Sequence, residues 1–166
     1  MALDNNSFSI FLDTIKRFVD NKLIPREEEV ADTNNIPNDI VEEMKNIGLF
    51  GISIPTEYGG SNLSMEQEVE LTFELGRASP AFRSMAGTNI GIGSQTIVMS
   101  GTDEQKSKYL PKFSTGEIIG SFALTEPDSG SDAMSIKTTA KKNGNKYIIN
   151  GTKRYITNAP IAGVFS

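Results

Sequence analysis

Two asparagine–glycine dipeptides, Asn143-Gly144 and Asn150-Gly151, stand close together near the C-terminal end of the chain. Asn-Gly is the strongest short hairpin signal, because both residues accept the left-handed φ that a tight turn needs. Around them the side chains alternate. Ile136, Thr138 and Ala140 interleave with Lys137, Thr139 and Lys141, then come Tyr147 to Ile149, then Thr152 to Thr157. A period of two is a strand pattern, and two such turns predict a three-stranded antiparallel meander. The pattern switches to this period near Gly116. Helices followed by strands, without interleaving, predict an α+β chain: an all-α N-terminal domain over 1–115 and β structure over 116–166.

Before the switch the period is helical. Phe8, Phe11, Leu12, Ile15, Phe18 and Val19 fall on one continuous face, and Pro25 is expected to end that helix. A second helix is predicted from about Pro37 to Ile47, with Gly48 at the left-handed position beyond its end. Phe50–Gly60 reads as irregular. Ser64 with Gln67, and Thr102 with Gln105, form capping boxes for two further helices, the first running to about Ala78. Phe82 to Ser100 is apolar and rich in small residues and fits one helix, weakened by Gly87, Gly91 and Gly93.

The side chains limit the chemistry. Among 166 residues there is no cysteine and no histidine, so disulfides, Cys/His metal sites and Ser-His or Cys-His nucleophile pairs are all excluded. A net charge of −5 disfavours a nucleic-acid surface, and the basic "KKNGNK" reads as a solvated hairpin tip. No apolar run approaches a membrane span of roughly 20 residues. The N-terminus lacks a secretory pattern and is not Arg-rich, so the expected location is cytoplasmic. Chemistry, if present, must come from a bound cofactor or from carboxylates, hydroxyls, Lys, Arg, Tyr and backbone dipoles.

Three stretches could carry it. Gly91-Ile-Gly93 resembles the start of a dinucleotide fingerprint, but no strand precedes it and the third glycine is missing. Close helix packing explains it better. In "SFALTEPDSGSD" (Ser121–Asp132), the carboxylates Glu126, Asp128 and Asp132 suit turns and caps more readily than acid–base work. Gly130-Ser131 beside them is the kind of pair from which anion-binding nests are made. In "RYITN" (Arg154–Asn158), strand alternation would put the Tyr155 ring and the Thr157 hydroxyl on one face, where they could meet a planar ligand, although by spacing alone a plain amphipathic strand explains them better.

Together these stretches resemble the acyl-CoA dehydrogenase family. "SFALTEPDSGSD" is similar to its aromatic-x-hydrophobic-Thr-Glu-Pro-x-x-Gly-Ser-Asp loop. "YIINGTKRYITNA" is similar to the Asn-Gly-x-Lys-x-aromatic-Ile-Thr-Asn strand that follows it. "NIGLFGISIPTEYGG" and "GTDEQKSKYLPKFSTGE" resemble two family segments in the helical half. The likeness runs in order from about Phe8 to the end.

The resemblance implies an N-terminal helical domain, a middle antiparallel β-barrel and a C-terminal four-helix bundle, usually as a homotetramer. It implies FAD as cofactor and an acyl-CoA substrate oxidised to the trans-2-enoyl thioester, in fatty acid metabolism. In such enzymes a carboxylate removes the α proton, the β hydrogen leaves as hydride to flavin N5, and an electron-transfer flavoprotein collects the electrons. Carried over by position, Phe122, Ala123, Leu124 and Thr125 line the flavin, with Leu124 and Thr125 donating to the pyrimidine end of its ring. Gly130 and Ser131 belong to the phosphate end, with Ser131 reaching the pyrophosphate or the acyl-CoA. Tyr155, Ile156 and Thr157 cover the ring's other side. No metal is implied.

Asp128-Ser129 and Tyr155 are mild departures from the family's usual residues. The larger one is length, since the sequence stops before most of the barrel and all of the bundle, where the family keeps its base. Catalytic residues are therefore not assigned, and Glu126 is not promoted to that role. The chain by itself is expected to lack activity, to bind FAD poorly and to self-associate through uncovered β structure. An acyl-CoA oxidase of the same fold, or a shortened non-catalytic subunit that pairs with intact ones, are the alternative readings.

Overall fold

The computed structural model describes residues 3–166. Helix α1 (Asn5–Phe18) starts at Asp4, whose carboxylate accepts from the N–H groups of Asn6 and Ser7. It buries Phe8, Ile15 and Phe18, and Phe11 and Leu12 pack against the same core. The helical path does not end at Pro25. It widens into a π-helical turn at Val19–Leu23, tightens into a 3-10 turn at Ile24–Arg26 and continues as α2 (Glu27–Thr33). In the wide turn the Ile24 N–H reaches back to the Val19 carbonyl. Pro25 then begins a new turn, where its missing N–H costs little.

Helix α3 (Asn38–Asn46) ends as the sequence indicates, with Gly48 at φ 81°. Phe50–Gly60 is irregular, built around 3-10 turns at Leu49–Gly51 and Thr56–Tyr58. Both capping boxes form: Ser64 with Gln67 opens α4 (Met65–Leu75), and Thr102 with Gln105 opens α7 (Asp103–Ser114). Helix α4 stops at Leu75, short of Ala78. The expected single helix over Phe82–Ser100 is instead α5 (Pro80–Thr88), a π-helical turn (Asn89–Gly93) and α6 (Ser94–Ser100). Two of the glycines that weaken the pattern, Gly91 and Gly93, lie inside the wide turn. Ile15, Leu23, Met44, Phe50, Leu71 and Phe82 are fully buried and centre the main core. Burial of each such side chain stabilises the fold by about 1.5–3 kcal/mol. A smaller core gathers Ile54, Leu110 and Phe113 under α7.

The β structure is sparse. β1 (Gly120–Ser121) pairs in parallel with β4 (Val164–Phe165), and β2 (Thr139–Asn143) pairs antiparallel with β3 (Lys146–Asn150). No closed barrel forms among the described residues. The first Asn-Gly signal does mark a hairpin, with register Asn143↔Lys146. Its two turn residues are therefore Gly144 and Asn145. Only Gly144 has positive φ (61°), as a type II′ turn with glycine first requires.

The second signal is not a turn, and the strand expected over Thr152–Thr157 does not form. Asn150 still pairs with Thr139 inside the hairpin. A Cβ on Gly151 would stand 2.1 Å from Thr138 Oγ1, so glycine is required there by close approach. Beyond it the chain binds the loop after β1: the Arg154 N–H donates to the Thr125 carbonyl at 2.9 Å. Tyr155 and Asn158 then take φ of 57° and 64°, which no extended strand allows.

Candidate functional site

The loop after β1 and the turn at 155–157 face each other across a cleft of about 290 Å³. Phe122, Leu124 and Thr125 form one wall and Tyr155, Ile156 and Thr157 the other. Thr88 and Ile92, from the end of α5 and the π-helical turn, close it. Six of the nine residues singled out in the sequence therefore meet in one place. Ala123 is beside the cleft, its N–H donating to the Ser166 carbonyl at 2.8 Å. Gly130 and Ser131 lie outside the lining, beyond a tight turn at Glu126–Ser129. Both are exposed, and a Cβ on Gly130 would meet nothing within 4 Å.

The cleft offers free donors. The N–H groups of Leu124 and Thr125 have no partner among the described residues, nor does the Thr125 hydroxyl. Their carbonyls are taken: Leu124 O accepts from Lys153 Nζ at 3.0 Å and Thr125 O from Arg154 N. This wall thus has unpartnered donors, while its acceptors tie it to the segment Lys153–Arg154 that leads into the opposite wall. The alternation argument for Tyr155 and Thr157 fails, since Tyr155 is not extended, yet both residues reach the cleft. Tyr155 is 78% exposed, and the Arg154 guanidinium lies 4.5 Å from its ring centroid.

Glu126 is the buried charge next to this site, 6% exposed. Its carboxylate accepts from Lys137 N at 2.6 Å, Thr138 N at 3.0 Å and Lys153 Nζ at 2.9 Å. The Thr138 hydroxyl beside it, the Lys137 N–H and the Lys153 ammonium hold its pKa down to about 2, from 4.5. Thr138 Oγ1 itself finds no hydrogen-bond partner among the described residues. A carboxylate held this firmly in its charged form is a poor proton acceptor. It belongs to the framework. Asp128 pairs with Lys137 at the surface, and Asp132 caps the turn at Ala133–Ser135.

Sequence reasoning missed Thr88, Asn89 and Ile92. Asn89 is fully buried. Its Oδ1 accepts from the Gly120 N–H at 2.7 Å and its Nδ2 donates to the Phe113 carbonyl at 3.3 Å. The available signal was a lone amide within an apolar run. Gly93, read as a packing glycine, is one: its Cβ would stand 2.9 Å from the Thr88 carbonyl and 3.3 Å from the Gly120 backbone. Gly91 meets nothing within 4 Å.

A helical unit leading into β structure, with a donor-lined cleft at the junction, defines the class. Comparison with known proteins identifies it further. Residues 7–117 match the model of the acyl-CoA dehydrogenase N-terminal domain and residues 121–166 that of its middle domain. The chain belongs to the acyl-CoA dehydrogenase family. It is 39% identical over 153 residues to the mitochondrial isovaleryl-CoA dehydrogenase of Pongo abelii, covering 91% of this chain and 36% of that protein. Among solved structures it is similar to the FAD complex of an acyl-CoA dehydrogenase from Bacillus anthracis, with TM-score 0.87 and 37% identity over 98% of this chain and 28% of the other. It is also similar to the glutaryl-coenzyme A dehydrogenase in complex with glutaryl-CoA, with TM-score 0.88 and 33% identity over 99% of this chain and 42% of the other. The chain thus spans well under half the length of these relatives. They include mitochondrial and bacterial proteins, and no helix among the described residues is long and apolar enough to cross a membrane.

Proposed function

We propose that this chain is the flavin-seating part of an FAD-dependent acyl-CoA dehydrogenase, an oxidoreductase that converts an acyl-CoA thioester to the trans-2-enoyl thioester. The observation that carries the reading is that Leu124 and Thr125, whose N–H groups and whose Thr125 hydroxyl have no partner among the described residues, line a cleft together with Phe122, Ile156 and Thr157. A flat ring with carbonyl acceptors at one end suits that chemistry. When bound, the flavin supplies the acceptor for the hydride that leaves the acyl β carbon.

The residues of this chain bind and polarise. Leu124 and Thr125 would donate to the ring's pyrimidine end, where such fixed donors favour the negative charge of the reduced ring. Phe122, Ile92 and Ile156 exclude water from the ring faces. Thr157 presents its hydroxyl from the other wall. Gly130 and Ser131, off the cleft, are assigned to the phosphate end, Ser131 with a second contact to the acyl-CoA. The lining contains no carboxylate, so removal of the α proton is not assigned to any residue here. Electron-transfer flavoprotein as acceptor and a homo-oligomeric assembly are further parts of the proposal.

Quenching of FAD fluorescence tests it. Wild-type chain should bind weakly but saturably and Thr125→Val more weakly still, while added isovaleryl-CoA or glutaryl-CoA leaves the bound flavin unbleached. Bleaching by either thioester would place a proton acceptor in this chain and overturn the assignment.

A further inference from the structure

We infer that Asn89 is a positioning residue of the cleft: its buried side chain sets where β1 lies against the π-helical turn, and so how far the Phe122 side of the cleft stands from Thr88 and Ile92. The inference rests on the flavin reading above for its ligand, but its geometry stands separately.

β1 is paired on one side only. The Ile119 and Ser121 carbonyls and the Ala123 N–H bond to the β4 segment, through Gly163 N, Ser166 N and Ser166 O. Along a strand the backbone groups of alternate residues point to opposite edges. The Gly120 N–H therefore points to the other edge, where no strand lies among the described residues. A buried N–H without a partner is costly, and the Asn89 amide takes the place of the missing strand. Its second bond, to the Phe113 carbonyl, anchors the same side chain to the end of α7.

The approach is close because both partners lack side chains. A Cβ on Gly120 would stand 2.5 Å from the Phe113 ring and 3.3 Å from Gly93 Cα. Thr88 and Ile92, which flank Asn89 on the same helical path, line the cleft. Phe122, two residues beyond Gly120 and on the same edge of the strand, lines it from the opposite side. One widened turn thus holds the strand with Asn89 and faces the ligand with Thr88 and Ile92. π-Helical turns are rare and concentrate at functional sites, and this geometry gives the turn such a task. Asn89 itself does not line the cleft, so it acts only through the strand.

The test compares Asn89→Leu, of similar volume but unable to make either bond, with Leu71→Ala, a core truncation on α4 that lowers thermal stability away from the cleft. Two readouts are taken below the melting range: FAD affinity by fluorescence quenching, and amide hydrogen exchange across residues 119–125. Loss of the buried bond should weaken FAD binding about tenfold and speed Gly120 exchange by at least that factor, with α1–α4 protection retained. Leu71→Ala should keep FAD affinity within about twofold of wild type, as expected for a distant, uncoupled site. Equal effects of the two variants on affinity, or unchanged exchange at Gly120 in Asn89→Leu, would overturn the inference. If wild-type chain shows no saturable FAD binding, the flavin reading fails. Gly120 exchange then decides the role of Asn89 by itself, faster exchange supporting it and unchanged exchange overturning it.

Discussion

The ammonium of Lys153 lies 2.9 Å from the buried carboxylate of Glu126. The same Nζ donates to the Leu124 carbonyl at 3.0 Å. One side chain thus staples the segment after the hairpin to the wall that shows its donors to the cleft. Lys153→Met should lower the melting temperature far more than Lys16→Met, which breaks only the exposed pair with Asp13. It should also weaken FAD binding. Thermal melts and flavin titrations of the two variants check this.

The depressed pKa of Glu126 has a pH signature. Its folded value, about 2, lies below the ordinary 4.5. The stability it contributes is therefore fully present above the ordinary value and is lost as pH falls through the folded one. Glu126→Gln should be destabilised relative to wild type near neutral pH, and the gap should close as pH falls from 4.5 toward 2. Urea midpoints of both proteins across that window measure it. A gap independent of pH would show that the charge is not what matters.

Gly120 in β1 and Gly91 in the wide turn make opposite predictions. Gly120→Ala drives a methyl into the Phe113 ring and should cost about 1–3 kcal/mol by urea unfolding. Gly91→Ala meets open space and should be neutral or stabilising by up to about 1 kcal/mol. If the two behave alike, the close approach of β1 to the turn is not a constraint on the fold.

The hairpin predicts association. Every residue of β2 and β3 is exposed, including Tyr147, Ile148 and Ile149. Isolated two-stranded hairpins are marginal in water, and bare apolar edges pair with one another. The chain should therefore self-associate with rising concentration in sedimentation velocity, and Ile149→Lys should shift it toward monomer.

Much of this was legible in the sequence because it is local. Ser64 with Gln67, Thr102 with Gln105, and Gly48 each satisfy backbone groups within one turn, so spacing alone reveals them. The apolar face of α1 was equally plain. What escaped depends on contacts between segments distant in sequence. Pro25 broke no helix, because the turn before it had widened. Gly151 marked a close approach to Thr138, and nothing in the strand itself records its partner. Tyr155 and Thr157 reached the cleft through left-handed backbone held by Arg154 and Thr125, where alternation would have predicted a strand. Asn89 was invisible for the same reason: its meaning lies in a strand that begins thirty-one positions later. The motif carried six residues to the cleft, whereas the turn that closes it had no motif.

The central claim is that the cleft between the β1 loop and the 155–157 turn seats the flavin. A heteronuclear NMR titration of the chain with FAD tests it residue by residue. The account predicts saturable shifts in the amide signals of Leu124, Thr125, Ile156 and Thr157, with the β2–β3 hairpin signals unmoved. Saturable shifts elsewhere with those four amides unchanged, or no saturable shift at all, would contradict it.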